Sequence, residues 1–107
     1  MEPKELKIGN VRLENPYILA PMAGVTDLPF RLLCKEMGAG LICMEMVSAK
    51  AISFHNKNTE KLMEIEEQER PVSMQLFGSD PDLIAEMAAQ IEERPFDILD
   101  LNMGCPV

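Results

Sequence analysis

The sequence predicts an α/β protein built on a parallel sheet. Three observations lead there. Short apolar runs of strand type begin near residues 17, 41, 72 and 97. Segments with helical periodicity lie between them, the alternation that gives βαβ units. The runs are almost wholly apolar, as strands covered on both faces should be.

The elements follow in order. "LKIG" and "VRLE" flank Gly9-Asn10 and predict a small hairpin. After Asn15-Pro16, "YILA" is the first strand, and "PMAGVTD" is a loop of Pro, Gly and capping residues. A helix is predicted from about Asp27 to Met37, with Phe30, Leu33, Cys34 and Met37 as its buried stripe and Gly38 as its stop. "LICMEMV" (41–47) is the second strand. Residues 48–70 hold one or two short helices anchored by Leu62, Met63 and Ile65. "RPVSMQLFG" carries the third strand. Ser79 or Asp80 caps the next helix, Pro81 sits in its first turn, and Leu83, Ile84, Met87, Ala88 and Ile91 form its stripe. "FDILDLN" is the fourth strand. Two architectures fit this order: an open doubly wound sheet, or half of a (β/α)8 barrel. "MGAG" at 37–40 lacks the spacing of a dinucleotide fingerprint.

Composition narrows the function classes. At 107 residues the chain is one domain at most, and its 47% hydrophobic and 26% charged residues are ordinary for a globular protein. No apolar stretch approaches the ~20 residues of a membrane span. "MEPKELKIGN" has no apolar signal core, so the expected location is cytoplasmic and no membrane partner is expected. Three widely spaced cysteines and one histidine indicate neither a disulfide framework nor a metal site. The formal charge of −8 disfavours nucleic-acid binding by this stretch alone. Its excess lies in Glu60, Glu64, Glu66, Glu67 and Glu69, which read as a solvated surface.

Polar residues at the strand ends point to function. The first strand leads into Pro21-Met22-Ala23-Gly24, the second contains Glu45, the third Gln75, and the fourth ends in Asn102-Met103-Gly104-Cys105-Pro106. In parallel α/β folds the carboxyl ends of the strands form one rim, where ligands bind. Structural readings exist for some: Pro21 and Gly24 could shape a turn, and Glu45 could pair with Lys50. An amide such as Gln75 in a buried strand needs partners, which backbone or ligand can supply. Cys34 and Cys43 read as small core hydrophobes. Cys105 differs, because Gly104 permits close approach and Pro106 restricts the cysteine to extended backbone. A thiol held there can act as nucleophile or as proton donor.

Together "APMAGVTDLPFR", "GAGL…EM", "MQLFGSDP" and "DLNMGCP" resemble the tRNA-dihydrouridine synthases, and most nearly their bacterial B-type branch. The likeness runs from about Lys7 to Pro106. It implies an FMN-binding (β/α)8 barrel of which residues 1–107 are the N-terminal half, truncated after strand four, and reduction of tRNA uridine to 5,6-dihydrouridine with NADPH as reductant. By resemblance Pro21, Met22 and Ala23 line the flavin and Gln75 bonds its edge. Asn102 and Glu45 lie at the substrate, and Cys105 gives a proton to the uracil C5. Contacts to tRNA are expected through parts outside this chain. The half barrel alone is expected to be inactive and to self-associate through its open strand edges. The competing expectations are a relative of dihydroorotate or dihydropyrimidine dehydrogenases, which usually lack the N-x-G-C-P order, and a non-catalytic fragment.

Overall fold

The computed structural model describes residues 5–104. A hairpin, β1 (Leu6–Ile8) with β2 (Val11–Leu13), turns at Gly9-Asn10 and pairs antiparallel, as the turn chemistry predicts. The main sheet is parallel. β3 (Ile18–Leu19) leads to helix α1 (Leu28–Glu36), then to β4 (Leu41–Cys43) and β5 (Val47–Ser48). Helices α2 (Ala49–Ser53) and α3 (Lys57–Leu62) and a 3-10 turn at Glu67–Glu69 follow. β6 (Val72–Phe77), α4 (Pro81–Ile91) and β7 (Ile98–Leu101) complete the order.

β3 pairs with β4, both β4 and β5 pair with β6, and β6 pairs with β7, all in parallel. β4 and β5 therefore form one interrupted strand, and the sheet is four strands wide in sequence order. The 41–47 run is broken where a continuous strand was expected. Cys43 pairs with Ser73 and Val47 with Leu76, so one strand takes four steps where its neighbour takes three. The extra residue makes a bulge at Met44–Met46, a device that re-aims side chains near strand ends.

The core lies on one face of the sheet. Ile42, Met44, Val47, Val72, Met74 and Leu76 meet Ala49, Ile52, Met63, Met87 and Ile91 in a single buried cluster. Each of the Val, Leu, Ile and Met side chains contributes roughly 1.5–3 kcal/mol by leaving water. Alternation along β6 turns Ser73 and Gln75 to the opposite face. The same alternation places Leu99 against the cluster and Ile98 and Asp100 away from it.

Helix α1 corrects one expectation. Of the predicted stripe, Cys34 packs against the core, but Leu33 is 54% and Met37 81% exposed. The residue α1 buries fully is Arg31. Its guanidinium is matched by Glu69, and both side chains are almost completely sealed, at 2% and 0% exposure. A charge can be buried when it is paired and fully hydrogen-bonded, a cost no apolar periodicity reveals.

At the amino ends of the strands, polar contacts set the register. Arg70 donates to Asp97 Oδ1 at 2.8 Å, and the Val72 N–H donates to Asp97 Oδ2 at 2.9 Å. Gly40 abuts Asn15 so closely that a Cβ there would collide with the Asn15 carbonyl oxygen.

Candidate functional site

The first wall of the rim is the loop from Pro21 to Asp27. Its backbone closes on itself, with the N–H groups of Val25 and Thr26 both donating to Met22 O at 2.9 Å. The Thr26 hydroxyl lies 3.2 Å from both Met22 N and Met22 O, accepting from one and placed to donate to the other. Gly24 adopts a φ of +76°, a conformation glycine takes without penalty. Behind the loop Arg31 Nη1 donates to Thr26 O at 3.0 Å and Nη2 to Glu64 O at 2.7 Å, while Nε holds Glu69 at 2.9 Å. The loop is thus fixed from inside, and Pro21, Met22 and Ala23 are left exposed on its outer side.

The second wall is the carboxyl end of β6 and β7. Gln75 pairs with Asp100 across the ladder, and its Nε2 donates to Asp100 Oδ2 at 2.7 Å. Asn102 follows β7, and its N–H continues the ladder by donating to Leu76 O at 2.9 Å. Its side-chain Nδ2 donates to Gln75 Oε1 at 3.1 Å and reaches the sulfur of Met46 at 3.6 Å. Its Oδ1 accepts from the Gly104 N–H at 3.0 Å. Nearby, burial pushes the Cys43 thiol up from its ordinary range, and the Asp100 carboxylate raises it further. A hydrogen bond with Ser73 offsets part of this. Cys43 is thereby held as a thiol at neutral pH.

All four parallel strands end at this rim, so residues distant in sequence are gathered there. Gln75 and Asn102 are in direct contact. Pro21, Met22 and Ala23 leave β3 at the same end. Glu45 sits in the bulge, half-buried, and forms no ion pair with Lys50 among the described residues. Cys105 and Pro106 lie outside the described residues. The sequence does not single out Asp100, Met46 or Arg31, and it offers Thr26 only as a capping residue of the loop. Asp100 had a signal: in "ILDLN" it shares the period-2 face of Asn102.

Among the described residues no cluster of three His, Cys, Asp or Glu side chains is placed to hold a metal, and no helix is long and apolar enough to cross a membrane. An apolar cleft of about 630 Å³ lies on the other face, between α4 and the edge strand, lined by Leu76, Ile84, Ala88, Leu99 and Leu101. It is a groove beside the edge strand β7, and it reaches Asn102 and Met103 at the end of that strand.

Comparison with known proteins gives a consistent picture. Residues 18–107 match the family model described as dihydrouridine synthase (Dus). The chain is 42% identical over 101 residues to tRNA-dihydrouridine synthase B of Pseudomonas aeruginosa, covering 94% of this chain and 30% of that protein. It is 46% identical over 101 residues to tRNA-dihydrouridine synthase B of Vibrio cholerae, again covering 94% of this chain and 31% of the relative. A probable tRNA-dihydrouridine synthase of Rickettsia bellii is 42% identical over 102 residues, covering 94% and 31% of the two chains. The chain thus spans about 30% of the length of these curated relatives.

Proposed function

Since the chain belongs to the dihydrouridine synthase family, we propose that it forms part of an enzyme that reduces tRNA uridine to 5,6-dihydrouridine, with FMN as cofactor and NADPH as reductant. The observation that carries the reading is the Gln75–Asn102 pair, two amides in contact at the strand ends, on the rim to which the exposed Pro-Met-Ala loop also belongs. Each amide offers both a donor and an acceptor, the set needed to match the alternating edge of a pyrimidine-type ring. The residues present fit FMN: Gln75 would bond the edge of its ring system, and Pro21, Met22 and Ala23 would line its surface. When bound, FMN supplies the hydride that uridine takes at C6.

The rest is work for the protein's own residues. Asn102 would orient the uracil, leaving C6 open to hydride and C5 open to a proton from the Cys105 thiol. The Cys105 thiol donates the proton that C5 requires, completing addition of H⁻ and H⁺ across one C=C bond. A thiol is largely protonated at neutral pH, so it serves as an acid without a tuned pKa. Glu45, in the bulge next to Met46, belongs to the substrate side. A uridine in folded RNA has to be extruded to reach such a site. Contact with the tRNA body, in the cytoplasm, falls to segments of the enzyme beyond these residues, consistent with the −8 charge of this stretch.

The test is Cys105→Ala in the full chain, read by single turnover. Flavin should stay bound and reducible by NADPH, while dihydrouridine formation falls about 10²–10⁴-fold, the scale of a lost general acid. Wild-type turnover in the variant would remove Cys105 from the chemistry. Failure of flavin reduction would assign the thiol to the cofactor site instead.

A further inference from the structure

We propose that Asp100 is a positioning residue that fixes which way the Gln75 and Asn102 amides face, and so which edge of a bound flavin they accept; this rests on the flavin reading above. The argument begins with an ambiguity in amides. A primary amide has nearly the same shape when its oxygen and nitrogen are exchanged, so packing alone does not choose between the two orientations. Hydrogen-bond partners must choose. Here the amides form a chain with three links: Gln75 Nε2 to Asp100 Oδ2 at 2.7 Å, Asn102 Nδ2 to Gln75 Oε1 at 3.1 Å, and Gly104 N to Asn102 Oδ1 at 3.0 Å.

Both ends of the chain are chemically unambiguous. A carboxylate only accepts, and a backbone N–H only donates. One orientation of each amide satisfies all three links together. The distance is not left to a flexible side chain, because Gln75 and Asp100 are directly paired across the β6–β7 ladder. Asp100 therefore turns the Gln75 nitrogen toward itself and its oxygen toward Asn102. A flipped Gln75 would present an acceptor where the ligand expects a donor.

Asp100→Asn tests this, since asparagine has the same shape but can turn either a donor or an acceptor toward Gln75. In the full chain, FMN affinity is measured by fluorescence titration, the bound flavin by its visible absorption bands, and the apoprotein by thermal unfolding. The expected result is an FMN Kd raised about tenfold, the scale of one misoriented hydrogen bond. The flavin bands should shift, and the apoprotein midpoint should stay within about 2 °C of wild type. Wild-type affinity and bands in the variant overturn the assignment. So does an affinity loss matched by a large fall in the apoprotein midpoint, which would make Asp100 a purely structural tie. Wild-type protein that binds no FMN overturns the flavin reading, and this assignment with it.

Discussion

Replacing Arg31 by Met tests the buried ion pair that backs the rim loop. The change keeps a long side chain of moderate volume but removes the guanidinium. Three groups then lose a donor: Glu69 Oε1, Thr26 O and Glu64 O. Glu69 is 0% exposed and, among the described residues, its side chain retains only the Glu66 N–H at 3.4 Å. An uncompensated buried charge of this kind costs roughly 3–5 kcal/mol, against a typical total stability of about 5–15 kcal/mol. Substituting Glu69→Leu in the same background removes the stranded carboxylate. The double variant should recover part of the loss and remain about 1–3 kcal/mol below wild type, the cost of the unsatisfied carbonyls. Urea unfolding of the four proteins of the cycle, followed by circular dichroism, gives each free energy by linear extrapolation. A single variant within about 1 kcal/mol of wild type would refute the argument. So would a double variant whose loss equals the sum of the singles, because groups in contact should couple.

Two further outcomes follow from the amino ends of the strands. Burial pushes the Asp97 carboxyl up, but hydrogen bonds from Arg70 and from the Val72 N–H, with the Arg70 charge, hold it net below the usual carboxylate range. Its contribution to stability is therefore present above the unfolded-state pKa and is lost as pH falls through the lower folded value. Asp97→Asn should flatten the acid limb of the stability–pH curve below about pH 4; an unchanged limb, measured by urea midpoints across that range, would contradict this. Gly40→Ala should cost about 1–3 kcal/mol, the scale of an overpacked site, since the new Cβ meets Asn15 backbone rather than a yielding side chain. A thermal midpoint equal to wild type would show that the 13–16 segment can move aside.

The strands were legible because each is a short apolar run bounded by turn residues, although the core covers only one face of the sheet. The hairpin was legible for the same kind of reason, since Gly9-Asn10 is turn chemistry. The carboxyl-end rule brings Gln75 and Asn102 to one place from the sequence alone, and they touch there. Arg31 was not legible. It reads as a surface residue on an amphipathic helix until Glu69, 38 positions later, is seen beside it. The same blind spot misassigned Leu33 and Met37, because periodicity gives the stripe but not which of two neighbouring faces meets the sheet. The break in the second strand was equally hidden. "LICMEMV" is uniformly strand-like, and the extra residue exists only relative to the β6 register.

That extra residue also governs how the chain can change length. A pleated strand assigns its side chains to alternate faces, so deleting one residue normally inverts everything beyond the deletion. Here Ile42 and Val47 face the same core although an odd number of positions separates them. Loss of one residue between Met44 and Met46 would give β4 and β5 a common, uninterrupted phase with β6. The helices would keep their contacts with Val47 and Ala49, and the site would be altered while the fold is spared. Deletion of a single residue in this segment is thus a means of remodelling the substrate side at small cost in stability, whereas the same edit within Val72–Phe77, which is paired on both sides, would exchange Gln75 with a core position.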